Sequence, residues 1–305
     1  MPHEIDRILG AVAGGVWLIE ANKAAEIVNF LALRAGGDAP GWESEEKPPS
    51  YAADPFPARS GGHVAVLRLH GTVVPRGGMM TRMSGGASME QFQKAFREAD
   101  GDSGTRAIVI DVDSPGGMVD LVPETAAMIR NARRAGRPII AVANTLAASA
   151  AYWVASQADE LVVTPSGMVG SIGVMTQREN LIEALKMKGI ERELFSKGPR
   201  KAEGHPFGPP MDDAARAALN AELEEIYALF VSDVAKARGV PVATVRADPE
   251  TAEAHFGGGR AYHARQAVRL GMADRVATLE DTIKRAARGR PPRQAAEARR
   301  RLALL

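Results

Sequence analysis

The sequence predicts an α/β protein in which repeated β-α units form a mostly parallel sheet with flanking helices. Two observations carry this prediction. Short runs of β-branched residues alternate along the chain with stretches of helical periodicity, which is the pattern of β-α units. The chain also has 305 residues, of which 45% are hydrophobic, and this is enough to enclose a large core.

Four strands and four helices are predicted between residues 63 and 238. Each strand is a short apolar run that ends in small or polar residues, and each helix repeats its apolar residues every three or four positions. The predicted strands are 63–69, 106–112, 138–143 and 160–164. The predicted helices are 89–99, 119–135, 149–156 and 212–238.

The rest of the chain divides around a main domain at residues 63–283. Residues 1–34 are predicted to be an N-terminal helical segment, because their apolar residues fall near one stripe. Five prolines interrupt residues 35–62, which we interpret as a Pro/Gly-rich linker. Residues 284–305 are interpreted as a basic C-terminal tail, since eight basic residues and one acid lie between 284 and 301.

Composition and charge exclude several classes of function. The chain has no cysteine, so disulfides, thiolate metal sites and thiol catalysis are excluded. With 38 basic and 37 acidic residues the chain lacks the overall charge of a nucleic-acid-binding or membrane-binding protein. The apolar run at 8–19 is short and follows Glu4 and Asp6, so we expect no signal peptide, no membrane anchor and a cytoplasmic location.

Two candidate sites follow predicted strands, at the ends where α/β proteins place their chemistry. The run Asp113-Ser114-Pro115-Gly116-Gly117 follows the second strand, and adjacent glycines can either form a tight turn or direct backbone N–H groups at an oxyanion. Ser149 follows the third strand among alanines, where it is either a helix N-cap or an approachable nucleophile.

A third candidate lies further along, in Gly170-Ser171-Ile172-Gly173-Val174 and in Gly198-Pro199-Arg200-Lys201. A lysine activates a serine only when it is neutral, so its pKa must fall from about 10.4 through burial or a nearby positive charge. Arg200 is a candidate for that charge, and the Ser171 hydroxyl for holding the amine in line. On its own, Lys201 is equally well an ordinary surface lysine.

Taken in order, these motifs resemble the signal peptide peptidase A family, a branch of the ClpP/crotonase fold. The resemblance spans residues 63–276 and includes Gly259-Arg260-Ala261-Tyr262. It implies a serine endopeptidase with Ser149 as nucleophile, Lys201 as general base and Ser171 as the group that supports the lysine. Gly116 or Gly117, with the N–H of Ala150, would form the oxyanion hole, and no metal or cofactor is implied.

The run Arg200-Lys201-Ala202-Glu203-Gly204-His205-Pro206-Phe207 resembles the phage head-maturation branch most. That branch implies a polypeptide substrate such as a scaffold, capsid or portal protein, and a location in the host cytoplasm or the prohead. The resemblance also implies a homo-oligomeric ring, because relatives with a single serine motif and a single lysine motif assemble into rings, and we expect Ser149 of one subunit to meet Lys201 of its neighbour. Ala150 and Ala151 stand where many relatives have glycines.

Four other interpretations remain open. A bacterial peptidase that degrades signal peptides would share the same dyad. A Ser-His-Asp peptidase would need a histidine in a suitable motif, and none of the histidines has one. A crotonase-like acyl-CoA enzyme would leave Ser149 and Lys201 without a role. A non-catalytic assembly protein would keep the fold and use the basic tail, the one segment where nucleic-acid binding would be sought.

Overall fold

The computed structural model describes residues 16–19, 53–59, 61–77 and 86–289. The strands are β1 (Trp17–Ile19), β2 (Asp54–Pro57), β3 (His63–His70), β4 (Val73–Val74), β5 (Ala87–Ser88), β6 (Thr105–Ser114), β7 (Gly116–Met118), β8 (Ile139–Ala148), β9 (Glu160–Val163), β10 (Met168–Gly170), β11 (Ala261–His263) and β12 (Arg275–Val276). The helices are α1 (Met89–Gly101), α2 (Val122–Asn131), α3 (Ala150–Ser156), α4 (Ile182–Met187), α5 (Asp213–Arg238), α6 (Val242–Arg246), α7 (Ala264–Arg269) and α8 (Leu279–Ala287).

The larger sheet is mostly parallel, which confirms the predicted α/β class. Its main order is β11-β10-β8-β6-β3-β2, and β9 pairs with both β8 and β12. The pairs β3–β6, β6–β8, β8–β9 and β8–β10 are parallel, whereas the edge pairs β2–β3 and β10–β11 are antiparallel. A smaller sheet has the order β1-β7-β4-β5 and lies at the carboxyl end of β6, where Pro115 separates β6 from β7.

Helices cover both faces of the larger sheet. Along β6, Ile108 and Ile110 belong to the core that includes residues of α1, α2, α3 and α5, whereas Val109 belongs to a second core with Ala286 of α8. The side chains of successive residues in a strand point to opposite faces, so α8 lies on the face opposite to α1, α2, α3 and α5. Strands covered on both faces are expected to be apolar throughout, as the central strands are.

The four strands and four helices predicted between residues 63 and 238 are present, with altered ends. The third predicted strand continues to Ala148, so β8 leads directly into Ser149. The helix predicted at 119–135 is only Val122–Asn131, because Leu121 adopts a left-handed conformation with φ 66° immediately before it. The long helix α5 starts where the Asp212 carboxylate accepts a hydrogen bond from the Ala215 N–H.

Three predictions for the flanking segments are wrong where the structure describes them. Residues 17–19, predicted to be helical, form β1, because pairing with β7 buries all three side chains. Asp54–Pro57, predicted to be linker, forms the edge strand β2, a position that tolerates proline. Residues 284–287, predicted to be tail, belong to α8, whose Ala286 and Ala287 are buried. The remainder of these segments lies outside the described residues.

Among the described residues, no helix combines the length and the apolar character that crossing a membrane requires.

Candidate active site

Ser149 occupies a strained turn between β8 and α3. Its backbone has φ 53° and ψ −119°, a region that residues other than glycine rarely adopt and that costs about 1–3 kcal/mol. Two backbone hydrogen bonds hold it there: the Ser149 N–H donates to the Gly170 carbonyl at 2.8 Å, and the Ser149 carbonyl accepts from the Trp153 N–H at 2.9 Å. Strain of this kind persists only where the surrounding structure enforces it.

The Ser149 hydroxyl is not used for helix capping. Ser149 precedes the first residue of α3, but its side chain makes no capping hydrogen bond. The residue is 1% exposed, and its Oγ has no hydrogen-bond partner among the described residues. An unsatisfied buried hydroxyl costs free energy without adding stability, so the N-cap interpretation is wrong and a chemical role is favoured.

The predicted glycine loop lies beside Ser149. A Cβ placed on Gly116 would lie 2.9 Å from the Ser149 Cβ and 3.0 Å from the Ala148 carbonyl oxygen, so only glycine fits there. The Gly116 φ of 95° also requires glycine. The loop is anchored by Ser114, whose Oγ donates to the Gly71 carbonyl at 2.6 Å and accepts from the Gly116 N–H at 3.2 Å. The structure therefore brings Gly116 next to Ser149, as the sequence predicted.

Gly117 is the second glycine of the loop and lies in the centre of the smaller sheet. It pairs with Val73 of β4, and a Cβ on Gly117 would lie 2.0 Å from the Val73 carbonyl oxygen. Ala150 is the first residue of α3, so its N–H has no acceptor within that helix. The Ala150 N–H therefore lies next to Ser149 in sequence without an acceptor in α3, whereas the Gly116 N–H donates to Ser114 Oγ.

Ser171 is placed next to Ser149 by strand register. Gly170 of β10 pairs with Ala148 of β8 in parallel, so the residues that follow, Ser171 and Ser149, leave the sheet side by side. Ser171 also has a positive φ, 55°, and its N–H donates to the Arg260 carbonyl at 2.9 Å. Both serines of the predicted site therefore lie at the same end of neighbouring strands.

Lys201 is not joined to Ser149 within one chain. It lies in a turn closed by a hydrogen bond of 3.2 Å from the Lys201 N–H to the Gly198 carbonyl. Every residue from 186 to 201 is exposed, and no hydrogen bond or ion pair reaches the Lys201 ammonium from the described residues. Arg200, the candidate for a positive charge near the lysine, forms an ion pair with Glu203 at 2.6 Å.

Helix α3, which follows Ser149, is anchored by buried polar groups. Trp153 stacks on Phe230 of α5 with ring centroids 4.6 Å apart, and its Nε1–H donates to Asp233 Oδ2 at 3.0 Å. The Tyr152 hydroxyl donates to the Met272 carbonyl at 2.9 Å, and burial raises the pKa of this phenol, which keeps it neutral. These contacts fix the helix and hence the position of Ser149.

Comparison with known proteins identifies the family. The model of peptidase family S49 matches residues 131–291, which include Ser149, Ser171 and Lys201. The chain belongs to peptidase family S49.

Proteins similar to this chain come from phages and from bacteria. The chain is 31% identical over 220 residues to the capsid assembly protease C of Escherichia phage lambda, a match that covers 72% of this chain and 48% of that protein. It is 26% identical over 239 residues to protease 4 of Salmonella typhi, over 76% of this chain and 35% of that protein. The chain thus spans less than half the length of these relatives.

Among solved structures, the ClpP protease catalytic domain from Plasmodium falciparum aligns with a TM-score of 0.41 and 12% identity, over 70% of this chain and 86% of that chain.

No histidine within the described part of the chain is hydrogen-bonded to Ser149 Oγ. His70, the histidine nearest the end of β3, pairs through Nε2 with Asp111 Oδ2 at 3.0 Å. Since no described residue contacts the Ser149 Oγ by a hydrogen bond, no described histidine activates it in the single chain.

One neighbour of the site was missed from the sequence. Strand β1 pairs in antiparallel fashion with β7, in the register Ile19↔Gly116 and Leu18↔Gly117. The signal available was the apolar triplet Trp17-Leu18-Ile19, but its role depends on a partner strand about a hundred residues later, which periodicity does not reveal.

Proposed function

We propose that this S49 chain is a serine endopeptidase in which Ser149 is the nucleophile. The observation that carries the proposal is the buried Ser149 hydroxyl, which has no hydrogen-bond partner in the described part of the chain although it sits in an enforced positive-φ turn beside Gly116. The membership of the S49 family supports the same chemistry. A strained backbone that carries a side chain without a hydrogen bond, at the end of a parallel strand, is typical of a reacting group.

The base in this proposal is Lys201 of a second copy of the chain. A lysine accepts a proton only where it is neutral, which burial or a nearby positive charge brings about, and the exposed segment 186–201 does not bury Lys201 within one chain. Large apolar side chains are exposed on the same segment, including Met187 at 85% and Phe195 at 87%. Burial of this segment against another copy would cover these side chains and bring Lys201 to Ser149 with Ser171 beside it.

The reaction is acyl transfer in two steps. Ser149 Oγ attacks the scissile carbonyl while Lys201 takes the hydroxyl proton, and that proton passes to the leaving amine as the peptide bond breaks. Water then attacks the acyl-enzyme ester, and Ser149 regains its proton. In this proposal the oxyanion is stabilised by the Ala150 N–H and by the N–H of Gly116 or Gly117, each contributing about 3–4 kcal/mol to stabilising the transition state.

A fluorophosphonate probe tests the nucleophile. We expect mass mapping of the labelled protein to place the adduct on Ser149, with labelling lost in Ser149→Ala and strongly reduced in Lys201→Ala. Ser156→Ala is the matched control, because Ser156 is also a buried serine, the last residue of α3, but its Oγ donates to the Trp153 carbonyl at 2.8 Å. An adduct on another residue, or none at all, would refute the proposal.

The biological role that we propose is cleavage of scaffold, capsid or portal polypeptides during phage head assembly, inside the host cytoplasm or the prohead. The support is the similarity to the phage lambda capsid assembly protease C, which is higher than that to protease 4 of Salmonella typhi. Degradation of signal peptides is the second candidate, supported by the similarity to the putative signal peptide peptidase SppA of Enterococcus faecium. Proteomic comparison of heads assembled with the parent and with Ser149→Ala should show head proteins uncut only in the variant, and equal processing would favour a non-catalytic assembly role.

A further inference from the structure

The chain's own strand β1 occupies the edge of β7 that lies beside Ser149. Residues 17–19 pair in antiparallel fashion with Met118, Gly117 and Gly116 in turn. On its other side, Trp17 exchanges two backbone hydrogen bonds with Met175, of 2.9 Å and 3.0 Å. A short extended segment is therefore gripped by backbone hydrogen bonds from both sides, which is how an extended peptide binds when it adds a strand to a sheet.

This segment lies close to the nucleophile. A Cβ on Gly116 would lie 2.1 Å from the Leu18 carbonyl oxygen and 2.9 Å from the Ser149 Cβ, so the Leu18 carbonyl and Ser149 flank the same glycine. Leu18 is 0% exposed and belongs to the main core cluster, and Trp17 and Ile19 are also buried. The backbone of residues 17–19 is paired with β7, and the side chain of Leu18 is completely buried.

An extended polypeptide that is to be cut at Ser149 needs a strand edge beside Ser149. Strand β7 starts at Gly116, and its edge away from β1 is taken by β4. The edge that remains is the one β1 covers. A substrate strand and β1 cannot pair with this edge at the same time, because each would occupy the same side of β7.

We propose that residues 17–19 are a built-in pseudosubstrate that masks Ser149 until it is displaced. The inference rests on the proposed function. It also assigns a substrate class, namely an extended segment with a bulky aliphatic side chain at the position of Leu18, since that site holds a leucine with no exposed surface. Because the segment belongs to the same chain, it competes at the high effective concentration of a tethered ligand.

An engineered crosslink tests the masking. Trp17 and Met118 are registered antiparallel partners, so their Cα atoms are roughly 4.5–5.5 Å apart, within the range a disulfide spans. The chain has no cysteine, so the double variant Trp17→Cys/Met118→Cys carries the sole thiols of the protein. Oxidation locks β1 onto β7 and reduction releases it. The readout is the rate of fluorophosphonate labelling at Ser149.

We expect the oxidised double variant to label at least about tenfold more slowly than the same protein after reduction, which corresponds to a competent fraction of about a tenth or less. The single variants Trp17→Cys and Met118→Cys control for the substitutions, and their labelling should not respond to the redox state. Equal rates in the oxidised and reduced double variant would overturn the inference and leave the proposed nucleophile intact. Failure of the two cysteines to crosslink in the folded protein would also overturn it.

A competition experiment gives an independent check. A synthetic peptide with the sequence of residues 14–22 should slow labelling of the reduced double variant, and the same peptide with aspartate in place of Leu18 should not, because a carboxylate is excluded from an apolar site. Identical behaviour of the two peptides would refute the assigned substrate class. Absence of Ser149 labelling in every form of the protein would instead refute the proposed function and, with it, the masking.

Discussion

At the scale of single residues, the conformation of Ser149 shows that the site lowers the stability of the folded protein. Its φ of 53° is enforced by hydrogen bonds to Gly170 and from Trp153, and its hydroxyl has no hydrogen-bond partner among the residues that the structure describes. Residues at reacting positions commonly give up stability in this way. The stability of variants at this position is therefore informative in its own right.

We expect Ser149→Gly to be more stable than Ser149→Ala by about 1 kcal/mol, because glycine adopts positive φ freely whereas alanine retains the strain. Urea unfolding of the two variants measures the difference, and both should fail to label with the fluorophosphonate. The opposite order of stability would show that the Ser149 backbone is not strained in the folded protein.

Gly116 gives a second prediction at this scale. Gly116→Ala should destabilise the protein by more than about 2 kcal/mol, because its Cβ meets the Leu18 carbonyl oxygen at 2.1 Å and its φ is 95°. Gly136→Ala is the matched control, since its φ is 83° but nothing lies within 4 Å of its added Cβ. Thermal unfolding of both variants separates the clash from the strain, and equal losses would contradict a close approach at Gly116.

At the scale of secondary-structure elements, the position of Ser149 depends on how α3 is held. The helix is seven residues long and every one of them is buried. Its contacts come from α5 through Phe230 and Asp233, and the Asp233 carboxylate also accepts a hydrogen bond of 3.1 Å from Arg130 of α2. A short helix has little stability of its own, so these tertiary contacts hold it in place.

We therefore expect Phe230→Ala to cost about 3–5 kcal/mol of unfolding free energy, because it removes a fully buried aromatic ring stacked on Trp153. Leu229→Ala is the control on the neighbouring residue, which is 46% exposed, and it should cost less than about 0.5 kcal/mol. Urea unfolding checks both, and a small effect at Phe230 would mean that α5 does not anchor α3.

At the scale of the whole molecule, the described chain holds one half of the proposed dyad buried and the other half exposed. Ser149 is 1% exposed, whereas the stretch that ends at Lys201 is exposed over sixteen consecutive residues. In the proposed arrangement, the two halves form one site when the lysine segment of one copy packs on the serine edge of the next. A head-to-tail contact of this kind closes into a ring when the rotation allows.

Mixing inactive variants tests this arrangement. Ser149→Ala and Lys201→Ala should each be inactive alone, and mixed assemblies should recover activity at about a quarter of their interfaces, where an intact serine meets an intact lysine. Lys197→Ala, which changes another exposed lysine of the same segment, should remain active without a partner variant. No recovery in verified mixed assemblies would reject the shared site while leaving Ser149 as nucleophile.

The sequence by itself determined the α/β class, the main strands and helices, and the motifs that carry Ser149, Ser171 and the glycine pair. These features are local, because a run of apolar residues with a given period and a small residue at the end of a strand are visible without knowing what lies opposite. Tertiary structure decided the rest. Strands β1 and β2 are short, and they form because they pair with β7 and β3. The hydrophobic periodicity of their own residues therefore does not predict them. The positive φ of Ser149, the register that puts Ser171 beside it, and the separation of Lys201 from Ser149 within one chain all arise from contacts between residues distant in sequence.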